Sequence, residues 1–192
     1  MMQRVIAAAL KAALLVTLIG APVLLAPAAA TAQNRDPCAL LAAREGWRTI
    51  LADVEARWGV SPGAVLAVID QESRFRADAR GAGASGANPT RNFGFAQANI
   101  RTWNAFLRGA GWQGSSSRTD FEASAHFVGW HFAVLGRRNG LAVTDVAGNY
   151  LVYKLGEGGY RRGAPASARR LAATIASRAA AHDRALADCP SG

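Results

Sequence analysis

The chain has 192 residues, 51% of them hydrophobic and 18% charged, which excludes a disordered or collagen-like protein and leaves ample apolar mass for a core without a metal staple. Lysine and arginine outnumber aspartate and glutamate by 22 to 13, a net charge of +9, so a polyanionic partner or surface is expected. The length fits one domain with an appendage.

The appendage is the N-terminus. Arg4 and Lys11 precede the apolar run 12–25, and Ala30-Thr31-Ala32 supplies a small-x-small cleavage site, the pattern of a secretory signal peptide over residues 1–32. A membrane anchor is the rival reading. The run is alanine-heavy, holds Pro22 and Pro27 and stops at small residues, which favours cleavage and leaves no stable membrane span. Cys38 does not read as a lipid-anchored cysteine, because Asn34-Arg35-Asp36-Pro37 lacks the Leu-x-[Ala/Gly] run that such processing needs. Residues 33–192 are then one exported domain, periplasmic or extracellular, with 20 basic and 13 acidic side chains once Arg4 and Lys11 are gone, a net +7.

Export changes how the two cysteines, Cys38 and Cys189, read. An oxidising compartment favours their pairing, as does the closeness of domain ends, the alternative being two free thiols. Closing a loop of about 150 residues is worth on the order of 4–5 kcal/mol in the chain-entropy picture.

Almost everything periodic is helical. Leu40, Leu41, Trp47, Ile50, Leu51, Val54 and Trp58 recur at three- and four-residue steps, one apolar stripe that Gly59 ends. Ser61 and Pro62 restart the chain as N-cap and first helical residue. Residues 62–73, with Val65, Leu66, Val68 and Ile69 and hardly a polar side chain before Asp70, are predicted to be the central buried helix. Residues 80–92, built around Gly-Ala-Gly-Ala-Ser-Gly-Ala-Asn-Pro, read as a long loop. A short helix at 102–108, a strongly apolar one at 120–135 and a third at 144–155 each open on a capping-type residue, and 164–188 is a long Ala/Arg helix. No segment alternates with period two. The fold class expected is all-α, with at most a small hairpin between Asn92 and Gln97, and there is no internal repeat.

Most reactive constellations are missing. His126 and His131 are five apart, on different helix faces, His182 is remote, and no acidic residue completes a ligand set, so no metal is expected and the three read as packed or surface residues. There is no Gly-x-Ser-x-Gly elbow, and the glycine-rich stretch lacks the lysine and following helix of a phosphate loop. Tryptophans among basic residues suggest nucleic acid, but Trp47, Trp58 and Trp130 sit on apolar stripes and are expected in the core.

Glu72 stands apart. It occupies the last turn of the most hydrophobic helix, where partial burial and the negative end of the helix dipole both disfavour its charged form. A carboxyl so placed is a candidate general acid. The plainer reading is a surface glutamate paired with Arg74 or Arg76.

Its neighbourhood narrows the choice. Asp70-Gln71-Glu72-Ser73-Arg74-Phe75, then Phe93-Gly94-Phe95-Ala96-Gln97-Ala98, then Thr102-Trp103, and finally Tyr150-Leu151-Val152-Tyr153-Lys154-Leu155-Gly156-Glu157-Gly158-Gly159-Tyr160, resemble the lytic transglycosylase catalytic domain, which shares the fold of goose-type lysozyme. Glu-Ser at the end of a buried helix, Gly-x-x-Gln and Tyr-x-x-Gly occur in the family's order, over the stretch from Trp47 to Tyr160. The resemblance implies that Glu72 is the catalytic acid, that Ser73 helps position the carboxyl and the sugar, that Gln97 lines the cleft, and that the Tyr153 hydroxyl approaches the glutamate. The chain departs from the pattern at Phe95-Ala96, where many relatives have Leu-Met, and at Lys154, where an asparagine is common.

Most glycosidases need two carboxylates about the scissile bond. Here Asp70 lies about 200° round the helix from Glu72, and Asp78 falls beyond its end. Asp120, Glu122, Asp145 and Glu157 are left for the fold to bring near, Glu157 above all. A one-glutamate site is what the resemblance implies: cleavage of the β-1,4 bond between N-acetylmuramic acid and N-acetylglucosamine, ending in a 1,6-anhydro sugar. No cofactor is expected. Peptidoglycan, whose stem carboxylates suit a basic protein, is the expected partner; Arg74, Arg76, Arg80 and Arg91 flank the cleft, either to meet those carboxylates or as solvated surface charge, and the 80–92 loop reads as a plain surface excursion, the alternative being a wall or lid over the glycan. A monomer is expected, and nucleic acid is disfavoured by the export signal. The alternatives are a hydrolytic muramidase of the same fold and a non-catalytic wall-binding protein.

Overall fold

The computed structural model describes residues 36–81 and 92–189. The segment read as an export signal, most of the 80–92 stretch and Arg91 lie outside the described residues. Among the described residues the regular structure is helical: α1 (Pro37–Ala42), α2 (Trp47–Trp58), α3 (Pro62–Ser73), α4 (Ile100–Gly109), α5 (Phe121–Trp130) running on into a π-helical turn (His131–Gly136), α6 (Val146–Arg161) and α7 (Ala166–Ala187). No helix among them is long and apolar enough to cross a membrane. The expected all-α, lysozyme-like class is the observed one. The small hairpin expected near Asn92 contracts to two isolated bridges, Arg80 with Phe93 and Phe93 with Ala98.

The helix starts are chemical. Asp36, Ser61, Asn99, Asp120 and Asp145 each accept a hydrogen bond from a backbone N–H of the turn they open, satisfying donors that have no partner within the helix. The single stripe expected from Leu40 to Trp58 is broken in two, because the chain turns through a left-handed Gly46 (φ 79°) before α2 begins. Gly59 (φ 72°) ends α2 as the sequence predicts.

Helix α3 is the axis of the molecule. Every residue from Gly63 to Ile69 is buried, and Val65, Leu66, Val68 and Ile69 are fully so. Each such side chain contributes about 1.5–3 kcal/mol of hydrophobic stabilisation, before conformational entropy is charged against it. α3 lies along α7 and touches α2 and α5. At its start the Gly63 N–H and the Ser61 hydroxyl both donate to the Asp183 carboxylate of α7, each at 2.7 Å, placing an anion on the positive helix end.

Aromatic packing fixes the surroundings of the other end of α3. Trp47 stacks on Phe121 (3.4 Å between centroids, 1° between planes) and meets Phe95 edge-on at 5.9 Å and Phe75 at 6.0 Å. One tryptophan therefore ties α2, α5, the turn that carries Gln97 and the segment just after Glu72 into one core. Trp47 and Trp130 are buried and Trp58 half-buried, as their apolar stripes predict. Cys38 and Cys189 form a disulfide, with their Cα atoms 5.6 Å apart, joining α1 to the end of α7.

Candidate active site

Glu72 sits in the last turn of α3 and faces a cleft of about 410 Å³ whose lining also includes Gln97, Asn99, Thr102, His131, Tyr153, Lys154 and Glu157. Its side chain is only 8% exposed. The helix stops directly afterwards, because Arg74 and Phe75 both adopt left-handed backbone (φ 53° and 57°), which turns the chain back and drives Phe75 into the core. The carboxyl is thereby held at a helix end rather than on a mobile loop.

Both carboxylate oxygens have partners from α6. The Tyr150 hydroxyl donates to Glu72 Oε1 at 2.7 Å, and the Lys154 ammonium lies 3.7 Å from Oε2. Burial, the Glu72 charge and that hydrogen bond together push the Tyr150 phenol far above the ordinary tyrosine range, so it remains a donor. Tyr153, expected to approach Glu72, instead donates its hydroxyl to the Ala96 carbonyl while its ring stacks near Tyr150, centroids 6.2 Å apart. Burial, followed by the charge of Glu72, raises Tyr153 as well. Tyr153 thus lines the cleft and ties α6 to the glutamine turn, and Tyr150 makes the contact with the carboxyl. Tyr150 lies four residues before Lys154, so both project from one face of α6, and no sequence signal marks it out from Tyr153.

Gln97 lies on the cleft wall, with left-handed backbone (φ 47°). Its side-chain amide donates to the carbonyls of Ala79 and Gly94, both at 2.8 Å, so the residue braces its own turn as well as lining the cleft. Gly94 makes that turn possible, since a Cβ there would fall 1.9 Å from the Arg118 carbonyl. Ser73 is placed differently from expectation. It is buried, its hydroxyl donates to the Ile69 carbonyl one turn back at 3.0 Å, and it does not line the cleft.

Beyond Glu72 the cleft wall is formed by the π-helical turn of α5. His131 begins that turn, buried against Tyr153 (centroids 4.7 Å apart), and its Nδ1 finds no hydrogen-bond partner. Burial lowers the imidazole from 6.5 to about 3, so the ring is neutral.

The remaining carboxylates divide clearly. Asp70 is paired with Arg178 at 2.8 Å, and Asp120 and Asp145 cap helices. Glu157 is the second carboxylate on the cleft, one-third exposed, 3.5 Å from the Arg161 guanidinium and accepting from Asn139 at 3.3 Å. Arg74, Arg76 and Arg80 do not line the cleft: the Arg76 side chain donates to the Ser73 carbonyl, and Arg80 lies over the Phe93 ring. Among the described residues no group of three or more His, Cys, Asp or Glu side chains is arranged to hold a metal ion.

A buried helix-end glutamate on an all-α cleft, held by a tyrosine from a Tyr-x-x-Tyr-x-x-Gly helix, is an arrangement suited to protonating a bound glycan. Residues 10–189 match the family model described as the transglycosylase SLT domain, and the chain belongs to that family. Membership makes its functional class lytic-transglycosylase-type cleavage of peptidoglycan. No curated protein and no solved structure matches it.

Proposed function

We propose that the chain is an exported lytic transglycosylase in which Glu72 alone serves as acid and then base, cutting the β-1,4 bond between N-acetylmuramic acid and N-acetylglucosamine. The observation that carries this reading is the geometry of Glu72: it is nearly buried yet opens on the cleft, with a neutral phenol donating to one oxygen. In the first step the Glu72 carboxyl gives its proton to the glycosidic oxygen, the bond from that oxygen to the anomeric carbon breaks, and N-acetylglucosamine leaves as an alcohol. In the second, the Glu72 carboxylate takes the proton of the muramic acid 6-hydroxyl as that oxygen bonds to the anomeric carbon. The proton is returned, no water is consumed, and the product carries a 1,6-anhydro ring. Tyr150 holds the carboxyl's orientation through both steps. The leader-like residues 1–32 and the Cys38–Cys189 bridge support export, since disulfides persist in oxidising compartments.

Glu72→Gln is expected to keep the helical circular dichroism of the wild type and to release no soluble muropeptides from purified sacculi. Substantial turnover by that variant would remove Glu72 from the role. A hydrolytic reading draws on the placement of Glu157 on the same cleft. Mass spectrometry of the digest separates the two, because anhydro ends are lighter than reducing ends by one water, and reducing ends that vanish in Glu157→Gln would favour hydrolysis.

A further inference from the structure

One side chain on the cleft wall is polar where its neighbours are not. Phe127, His131 and Leu135 follow one another at four-residue steps along α5 and its π-helical turn, and all three line the cleft. Phe127 and Leu135 are buried and apolar. The Tyr153 ring packs against both the Phe127 ring (centroids 6.0 Å apart) and the His131 imidazole (4.7 Å). A phenylalanine at 131 would continue that surface with no polar atom to satisfy. His131 is instead 5% exposed and, among the described residues, makes no hydrogen bond; its Nδ1 is sealed from solvent without a partner, whereas Nε2 is not sealed. A polar ring kept among apolar side chains at that cost to stability, with one nitrogen open on a cleft, points to a ligand.

The polar groups nearest the imidazole are already engaged. Tyr153 gives its hydroxyl to the Ala96 carbonyl, Tyr150 gives its own to Glu72, and the Gln97 amide donates to Ala79 and Gly94, so none of these donors is left for a ligand. The ring is neutral and offers no charge to an anion. A group that suits this spot makes one hydrogen bond to a neutral imidazole nitrogen and brings an apolar end with it. An acetamido group does both: its carbonyl accepts from, or its N–H donates to, the ring nitrogen, and its methyl packs on Phe127, Leu135 and the Tyr153 ring. A sugar hydroxyl makes the first contact without the second, and a stem-peptide carboxylate would lose its hydration against a surface that does not compensate it.

We propose that His131 is a specificity-determining residue that reads an N-acetyl group of the bound glycan through Nε2, with Phe127, Leu135 and Tyr153 holding the methyl. The inference rests on the glycan-cleft reading and not on the acid–base role of Glu72.

The test uses two probes, tri-N-acetylchitotriose and the same trimer with its acetyl groups removed, titrated at a mildly alkaline pH that leaves the free amines largely uncharged. Calorimetry compares wild type with His131→Phe, which keeps a ring in place and removes the nitrogen. His131→Phe is expected to weaken the acetylated trimer about three- to tenfold, the worth of one hydrogen bond, and to leave the deacetylated trimer unchanged. In wild type carrying 15N-labelled histidine, the Nε2 resonance of His131, assigned through contacts of its ring with Tyr153, is expected to move with the acetylated trimer and to stay in place with the other; this measurement does not require the variant to fold. A ring that only packs would leave Nε2 still and would change both affinities together or neither. The proposal is overturned if the resonance does not move with the acetylated trimer, if it moves equally with both, or if His131→Phe weakens both trimers alike or neither. If wild type binds neither trimer, the glycan reading of the cleft falls and the proposal with it. Should the acetyl-dependent shift appear while purified sacculi yield no fragments, His131 keeps its role and the enzymatic reading of Glu72 falls.

Discussion

Glu72 was legible because one fact about it is one-dimensional: it follows a run of apolar residues that must be buried, so its carboxyl must lie at the edge of the core. The partner of that carboxyl was not legible in the same way. Tyr150 and Tyr153 both sit on α6, three residues apart, and which one points at Glu72 depends on how the helix is rotated against α7 and the π-helical turn, a matter of packing that local sequence does not encode. Ser73 enters through the Glu-Ser motif of the resemblance, and a serine at a helix end has a competing acceptor in its own backbone, the Ile69 carbonyl. The sequence leaves His131 as a packed or a surface residue; it is packed, and the cost of packing it is visible only in three dimensions. Unfolded, the imidazole takes a proton near 6.5; folded, it does so only near 3. Between those values the unfolded chain binds more protons, so stability must fall as pH falls through that window. Burial lowers His126 and His182 in the same direction. The urea midpoint is therefore expected to drop between about pH 7 and about pH 4, and His131→Phe to reduce the slope by up to about 1.4 kcal/mol per pH unit. An unchanged slope in that variant would show that His131 is not what titrates.

At the level of elements, apolar periodicity located the helices, and the misses fall where a backbone feature overrides it. The stripe from Leu40 to Trp58 keeps its period across Gly46, yet the chain breaks there through a positive φ. The apolar run of α5 keeps its pattern while its hydrogen bonding widens to a π turn, and α6 runs on beyond the predicted end through a kink at Gly156 (φ 68°, ψ 163°). The closeness of α3 to α7 rests on Gly63. A Cβ there would lie 2.4 Å from both the Ala179 carbonyl oxygen and an Asp183 carboxylate oxygen, the first of which belongs to a helix backbone and cannot rotate away. Gly63→Ala is expected to cost about 1–3 kcal/mol and to lower Tm by several degrees in a thermal circular-dichroism scan. An unchanged Tm would mean the two helices can separate freely at that point, against the burial seen along α3. At an ordinary helix position the same replacement would stabilise by about 0.5–1 kcal/mol, so a loss here would report the close crossing and its Asp183 cap.

For the molecule as a whole, composition described a basic, core-forming protein, and the family gives that charge an anionic target in peptidoglycan. The arginines nearest Glu72 in sequence are not the ones that line the cleft; Lys154 is, and it reaches the site from another helix. The bridge between Cys38 and Cys189 acts at this scale, since it spans 151 residues. Removing it in a Cys38→Ser/Cys189→Ser double variant is expected to cost up to about 5 kcal/mol by the loop-entropy relation, read as a lower guanidinium midpoint. Wild type in dithiothreitol should match the variant. A midpoint indifferent to both would mean that packing of α1 on α7 already holds the two ends together. The same bond orders events in time. Cys38 belongs to the first described helix and Cys189 follows the last, so the thiol of Cys38 must wait, reduced and without its partner, while nearly every core helix is synthesised. The bond can close only once Cys189 has been made, and an oxidant that reaches the chain before then finds one cysteine with nothing of its own to join.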